Sequence, residues 1–139
     1  MEVINDVKEF VPNYIEGYNN ATRNVSGELL NVYSDHSDIL FGGSADVAGS
    51  VKTALKNKST FTCDNYSGQN INFGIREHAM CAIANGIAAH GGLRPYVGSF
   101  LVFSDYAKGA LRMASLMNLN SVYLLSNDSI AVGQDGPTH

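Results

Sequence analysis

The second half of the chain alternates between short apolar runs typical of β-strands and longer segments with helical spacing. From Asn70 the order is a strand in "NINFG", a helix over 77–90, a strand in "RPYVGSF", a helix to about Met117 and a strand in "SVYLLS". Strands that alternate with helices at this spacing form βαβ units, whose parallel strands are buried by the crossover helices. The pattern therefore predicts an α/β fold with a central parallel sheet covered by helices on both faces.

The first half of the chain is less regular. Residues 1–20 are polar and weakly periodic, which indicates a linker or a docking arm. A helix is predicted over 21–33, followed by a short strand over 39–41 that the glycine pair of "FGGS" ends. Residues 47–68 are rich in Ser, Thr, Asn and Lys, and they predict a long loop. The folded domain is therefore predicted to begin near residue 21 and to run to residue 139.

Composition excludes several classes of protein. The length of 139 residues suits one domain, and the formal net charge of -4 gives no basic surface, so we expect no nucleic-acid partner. No segment approaches the roughly 20 apolar residues of a membrane span. The two cysteines form no C-x-x-C pair, which favours reduced thiols in a cytoplasmic protein. Charged residues make up only 16%, which favours a surface covered by other protein, as in a domain of a larger assembly.

Ligands of parallel sheets bind at the carboxyl ends of the strands. Four segments follow the predicted strands directly, namely 42–44, 74–77, 98–100 and 127–139. We therefore expect a site at this edge of the sheet. The four histidines lack the spacing of a metal site, so we predict no metal bound by this chain alone.

"GIREHAM" places Glu77 in the first turn of a predicted helix, where the helix dipole favours a carboxylate. The residues alone leave two interpretations open, an ordinary N-terminal acid or a functional group. The aromatic residues Phe100, Phe103 and Tyr106 are similarly either a core stripe or a binding surface. The turn-rich "GQDGPTH" is either a solvated loop or part of the site.

In order and spacing, five segments of the chain resemble transketolase, in its middle domain, which binds the pyrimidine half of thiamine diphosphate. These segments are "ATRNVSGELL", "FGGSADVAGS", "NFGIREHAMCAIANGIAAHGG", "YVGSFLVFSDYAKGALRMASLM" and "NDSIAVGQDGPTH". The resemblance covers residues from about 20 to 139. Deoxyxylulose-phosphate synthase is a related alternative, although "SFLVFSDYA" and "GGSAD" are more similar to transketolase. A docking module that keeps the fold without catalysis is a second alternative.

The resemblance implies roles for five residues around the cofactor. Glu77 corresponds to the catalytic glutamate that hydrogen-bonds a ring nitrogen of the aminopyrimidine. Phe100, Phe103 and Tyr106 correspond to the aromatic pocket around that ring, with Phe103 as the stacking residue. Asp46 corresponds to an acid near the cofactor at the subunit interface.

The resemblance also implies a substrate site. Arg23 and Ser50 correspond to residues that hold the sugar phosphate. Asp135 corresponds to a carboxylate that recognises a substrate hydroxyl, and His139 to a catalytic imidazole close to the reacting carbons. Asn127 stands where many relatives have a histidine, so its contribution to phosphate binding is left open.

As a whole, the resemblance implies a cytoplasmic, homodimeric enzyme of the pentose phosphate pathway that transfers a two-carbon ketol unit between sugar phosphates. The diphosphate of the cofactor and its magnesium, or another divalent metal, are expected on a domain missing from this chain. We therefore expect the chain to be an N-terminal part of the pyrimidine-binding domain, incomplete at its C-terminus, and to be inactive by itself.

Overall fold

The computed structural model of the chain describes residues 10–131. In chain order its helices and strands are α1 (Thr22–Asp35), β1 (Leu40–Ser44), α2 (Ala48–Val51), β2 (Asn70–Asn72), α3 (Glu77–His90), β3 (Arg94–Phe100), α4 (Ser104–Leu116) and β4 (Val122–Ser126). The strands form one sheet in the order β2-β1-β3-β4, and every neighbouring pair is parallel. This architecture confirms the predicted α/β fold.

Helices cover both faces of the sheet because side chains alternate along its strands. On one face, Tyr96 packs with Leu55 and with Leu30 of α1. On the other face, the next residue of β3, Val97, packs in a core with Ala84 of α3 and Ala110 of α4. The ends of α3 and α4 therefore sit at fixed positions against the sheet, and these ends carry the candidate site.

The glycine pair of β1 lies inside the strand, so the prediction that it ends the strand is wrong. Gly42 pairs with Tyr96 of β3, and Gly43 pairs with Ile71 of β2. A Cβ atom on Gly42 would collide with the carbonyl oxygen of Tyr96, and one on Gly43 with that of Ile71. The glycines therefore allow both neighbouring strands to approach β1 closely, and the strand continues to Ser44.

The two long helices of the second half, α3 and α4, have well-defined ends. Helix α3 has the predicted bounds, and Gly91 at its C-terminus has a φ of 83°, which favours glycine. Helix α4 is preceded by a 3₁₀ turn at Leu101–Phe103, and no side chain caps its N-terminus. The Asp105 carboxylate pairs with the Lys108 ammonium group at 2.8 Å.

No helix within residues 10–131 is long and apolar enough to cross a membrane.

The polar loop between α2 and β2 is held by the side chain of Asn70. The Asn70 Nδ2 atom donates to the carbonyl oxygens of Leu55 and Lys58 at 2.9 and 2.7 Å. The Asn70 Oδ1 atom accepts from the backbone N–H of Leu55 at 2.9 Å. Leu55 is therefore fixed in the core. The prediction of a loop over 47–68 is partly wrong, because its first residues form α2, and the rest of the segment follows one defined path.

Residues 10–20 run along α1. The Tyr14 hydroxyl donates to the Glu28 carboxylate at 3.1 Å, and the rings of Phe10 and His36 lie 3.9 Å apart between centroids. The interpretation of residues 1–20 as a linker or docking arm stays a prediction.

Candidate functional site

A cleft of about 790 Å³ opens beyond the carboxyl end of β1, between the starts of α3 and α4. Four residues predicted at a cofactor site line it: Asp46, Glu77, Phe103 and Tyr106. They come from three separate segments that the parallel sheet brings to one edge. The fold therefore brings these four residues together at one edge, and their roles stay predictions.

Glu77 lies at the inner wall of the cleft and is only 6% exposed. It is the first residue of α3, so the partial positive charge of the helix N-terminus favours its carboxylate. The neighbouring Arg76 also lines the cleft, and its Nη1 atom donates to the carbonyl oxygen of Phe73 at 2.8 Å. Within residues 10–131 no side chain pairs with the Glu77 carboxylate. A buried carboxylate is usually paired, so this one is available to a hydrogen-bonding ligand in the cleft.

The three aromatic residues lie in series from the core to the rim. Phe100 is buried, and its ring stacks on that of Phe103 with 5.4 Å between centroids and 17° between planes. The centroid of Phe103 lies 6.2 Å from that of Tyr106, which is 69% exposed at the mouth of the cleft. Phe103 and Tyr106 therefore line the cleft, while Phe100 supports Phe103 from behind.

Asp46 is exposed in the turn after β1, and its φ of 64° is unusual for a residue other than glycine. The Ser44 hydroxyl accepts a hydrogen bond from the backbone N–H of Val47 at 3.3 Å. This contact helps to fix the turn. Asp46 is therefore an exposed acid that lines the cleft.

A separate groove of about 630 Å³ lies between the N-terminus of α1 and the segment after β4. Polar residues of both segments line it: Thr22, Arg23, Ser26, Ser126, Asn127, Asp128 and Ser129. The Arg23 guanidinium donates to Asn127 Oδ1 at 3.5 Å, and the Ser126 hydroxyl donates to the same oxygen at 2.9 Å. Two of the residues predicted at a phosphate site, Arg23 and Asn127, are therefore in contact.

Ser50 is the remaining predicted site residue within residues 10–131. Ser50 is exposed on α2 and does not line the groove, although its neighbour Val51 does. Asp135 and His139 lie outside the described residues, so their positions stay predictions.

Sequence reasoning missed a buried network behind the site. The Tyr123 hydroxyl donates to Asn85 Oδ1 at 2.7 Å, and Asn85 Nδ2 donates to the carbonyl oxygen of Ala110 at 2.8 Å. This network joins β4, α3 and α4. The signal was present, because Asn85 is the one amide in a helix otherwise rich in alanine. A polar residue on the buried face of such a helix requires a partner.

His78 also lines the cleft; it is exposed and lies beside Gly109 of α4. Both cysteines are free thiols, and burial together with the nearby charge of Glu77 raises the pKa of Cys81 to about 11. Over residues 10–131, no group of three or more His, Cys, Asp or Glu side chains is arranged to hold a metal ion.

Comparison with known proteins identifies the family to which the chain is similar. Residues 19–139 match the family model described as the transketolase pyrimidine binding domain. The chain is 51% identical to transketolase of Bacillus subtilis over 138 residues, which is 99% of this chain and 21% of that protein. It superimposes on the crystal structure of transketolase from Campylobacter jejuni with a TM-score of 0.87 and 42% identity, over 98% of this chain and 21% of that one.

A third similar protein is transketolase from Pichia stipitis, whose crystal structure is a complex with sedoheptulose 7-phosphate. The TM-score is 0.91 at 38% identity, over 96% of this chain and 21% of that one. These similarities favour transketolase over the synthase alternative. The chain spans about a fifth of the length of the curated relatives that it matches.

Proposed function

Because this chain belongs to the transketolase family, we propose that it forms the pyrimidine side of a thiamine diphosphate site in an enzyme that transfers two-carbon ketol units between sugar phosphates. The observation that carries the proposal is the buried Glu77 carboxylate, which has no protein partner within residues 10–131 and faces an aromatic cleft. An aminopyrimidine offers such a site both a ring nitrogen for the carboxyl group and a flat face for the aromatic rings.

The cleft residues suit this ligand chemically. Phe103 presents a ring to the cleft, and Phe100 restricts its movement by stacking behind it. A heteroaromatic ring inserted beside Phe103 would gain both apolar burial and an aromatic contact. Tyr106 would cover the outer edge of the ligand, and Asp46 would stand near it on the other side.

Glu77 would hold a proton at the ring nitrogen. A carboxyl group in a partly buried site makes a stronger hydrogen bond than one in water, because the local dielectric constant is low. When bound, thiamine diphosphate supplies the nucleophilic carbon and the electron sink for cleavage of a ketose carbon–carbon bond. The part of this chain in that reaction is to orient the pyrimidine and to hold a proton at its nitrogen through Glu77.

The groove would bind the phosphate end of the sugar. The Arg23 guanidinium suits a phosphate because it can make charge-assisted hydrogen bonds, and Asn127 would add a neutral one. Ser50 does not line the groove, so its proposed contact with the phosphate would be made from α2 at the groove's edge, next to Val51. Asp135 would bind a substrate hydroxyl, and His139 would act near the reacting carbons. The sugar phosphate bound to the similar Pichia stipitis transketolase supports this class of substrate.

Further parts of the proposal concern the whole enzyme. The diphosphate and a divalent metal such as magnesium would be held outside this chain, and the working enzyme would be a cytoplasmic homodimer of the pentose phosphate pathway. The exposed apolar surface at the mouth of the cleft supports a partner subunit there, since Ile75 is 78% exposed. The free thiols of Cys63 and Cys81 suit the cytoplasm.

A transfer assay tests the proposal. A full-length enzyme carrying this domain should convert xylulose 5-phosphate and ribose 5-phosphate to products only when thiamine diphosphate and magnesium are present. Turnover that is independent of thiamine diphosphate would contradict the proposal, and so would tight binding of the cofactor without any transfer.

A further inference from the structure

Asn85 is the one amide side chain of α3, and two hydrogen bonds tie it to other elements. Its Nδ2 atom donates to the carbonyl oxygen of Ala110 on α4 at 2.8 Å, and its Oδ1 atom accepts from the Tyr123 hydroxyl on β4 at 2.7 Å. A backbone carbonyl can only accept, so the NH₂ group must face Ala110, which fixes the orientation of the amide. Asn85 is 8% exposed, and it therefore forms a buried polar link between the two helices and β4.

The apolar contacts between α3 and α4 have little directional preference by comparison. The hydrophobic core at this place contains Ala84 of α3 together with Ala107 and Ala110 of α4. Apolar contacts are non-directional, and alanine side chains are too short to interlock, so such a surface tolerates small shifts of one helix along the other. A buried polar contact whose partners are all satisfied selects one arrangement. The link through Asn85 therefore supplies the direction that the alanines lack.

Both helices run from the cleft to this link. Glu77 is the first residue of α3 and lies about two turns, or about 12 Å, before Asn85. Phe103 directly precedes α4, and Ala110 lies about two turns further along. A shift of α4 along α3 at the link would be carried through these turns to the cleft. It would change the separation between the Glu77 carboxylate and the Phe103 ring.

A close approach of the two helices between the link and the cleft offers a way to observe their relative position. A Cβ atom on Gly109 of α4 would lie 3.3 Å from the Cε1 atom of His78. His78 is in the first turn of α3, one residue after Glu77. The contact between Gly109 and His78 therefore reports how α4 lies against the cleft end of α3.

We propose that Asn85 is a positioning residue, whose hydrogen bond to the Ala110 carbonyl oxygen fixes α4 along α3 and thereby sets the separation between the Glu77 carboxylate and the Phe103 ring. Asn85 is not among the described residues that line the cleft, so it acts through the two helices. The importance of this separation for a cofactor rests on the proposed function, whereas the helix position can be measured in this chain alone.

Proton NMR of the 139-residue chain tests the helix position. The nuclear Overhauser effect between an α-proton of Gly109 and the proton on His78 Cε1 should be strong in the native chain. The paired substitution Asn85→Leu with Tyr123→Phe removes both polar side chains of the link, and removing both partners of a buried hydrogen bond changes stability little. The effect should lose most of its intensity in this variant. Full retention of the intensity would overturn the proposal.

Leu30→Ala is the matched control for a general loss of stability. Leu30 packs on the other face of the sheet, against the core of Leu55 and Tyr96. Its truncation should lower the free energy of unfolding and leave the effect between Gly109 and His78 in place. Equal loss of the effect in Leu30→Ala and in the paired variant would show that it follows stability and not the link.

Asn85→Asp covers the case in which the paired variant fails to fold. A protonated aspartic acid can donate to the Ala110 carbonyl oxygen and accept from Tyr123, whereas a carboxylate cannot donate. Burial raises the pKa of Tyr123 and of the nearby Cys81, so both stay neutral in this range. Relative to the native chain at the same pH, the effect should be near normal at about pH 5 and weak at about pH 8. Equal relative intensities at both pH values would contradict the link.

Calorimetry of a full-length enzyme carrying this domain separates the link from the proposed function. The paired variant should bind thiamine diphosphate about tenfold more weakly, because Glu77 and Phe103 no longer fit one ring together. Leu30→Ala should bind the cofactor normally. Normal cofactor affinity in the paired variant, together with a lost NMR effect, would confirm the role of Asn85 in helix position and contradict the proposed cofactor site. Equal weakening in both variants would contradict the positioning role.

Discussion

The cleft around Glu77 and the groove around Arg23 lie on the same domain but are built in different ways. Glu77 is buried, and the core of α3, α4 and the sheet fixes its backbone. Arg23 is exposed, and its contact with Asn127 joins residues 104 positions apart in the chain. The hydrophobic core therefore holds the cleft in place, whereas the groove keeps its shape only while two surface segments stay in contact.

This difference matches the two kinds of ligand that we propose. A cofactor that stays bound through many turnovers benefits from a preorganised, partly dry site, where electrostatic contacts are strong. A substrate that enters and leaves in each cycle suits an exposed site whose charge attracts phosphate. Substitutions in the cleft should therefore act mainly on turnover and cofactor binding, and substitutions in the groove mainly on KM.

The largest effect is expected for Glu77→Ala in a full-length enzyme carrying this domain. Turnover should fall by about two to three orders of magnitude, because positioned acid–base groups contribute that much to catalysis. The matched control is Glu28→Ala, which removes an exposed glutamate of α1. Circular dichroism should show both variants folded. Near-normal turnover of Glu77→Ala at saturating cofactor would show that the cleft does not carry the chemistry.

Phe103→Ala should weaken thiamine diphosphate binding about tenfold while leaving the KM for the sugar unchanged, because the stacking surface in the cleft is lost. Isothermal titration calorimetry measures the cofactor affinity. Phe61→Ala is the matched control, since Phe61 is a partly exposed aromatic residue of the loop before β2, outside the cleft. Equal losses in the two variants would point to a general effect on stability.

Tyr123→Phe tests the hydrogen bond that joins the two regions, because Tyr123 lines the groove and donates to Asn85 of the helix that carries Glu77. The free energy of unfolding of the 139-residue chain should fall by about 1 kcal/mol, the usual net value of one hydrogen bond. Tyr66→Phe, at an exposed tyrosine, should change it little. Urea denaturation measures both, and equal values would contradict the importance of the network.

The smallest effect is expected for Asn127→His. A charged imidazole adds a stronger hydrogen bond to phosphate than an amide, so KM for phosphorylated acceptors should fall about threefold, most clearly at acidic pH. Turnover should change little, because phosphate binding contributes similarly in the ground and transition states. Unphosphorylated sugars serve as the control, and an equal response from them would show that position 127 does not contact phosphate.

The two regions also differ in how well the sequence predicts them. The sequence predicts helix α3 with its correct bounds, because its apolar spacing and Gly91 are local signals. The gathering of Asp46, Glu77 and Phe103 follows from the parallel sheet alone, since strand ends meet at one edge. The roles of these three residues at a cofactor site, by contrast, are implied by the family resemblance and not by their spacing.

Other features could not be predicted because they depend on contacts between distant segments. Gly42 and Gly43 look like a turn in the sequence, but the close approach of two neighbouring strands is what requires them. The contact between Arg23 and Asn127 is likewise a property of the folded chain. The partners of Asn85 on α4 and β4 became visible only once the packing of these elements was known.

The central claim is that Glu77 and Phe103 recognise an aminopyrimidine, and a crystal structure tests it most directly. A full-length enzyme carrying this domain would be crystallised with thiamine diphosphate and magnesium. We predict that a ring nitrogen of the pyrimidine lies about 3 Å from the Glu77 carboxylate, with the ring stacked on Phe103. A pyrimidine bound away from both residues would contradict the account.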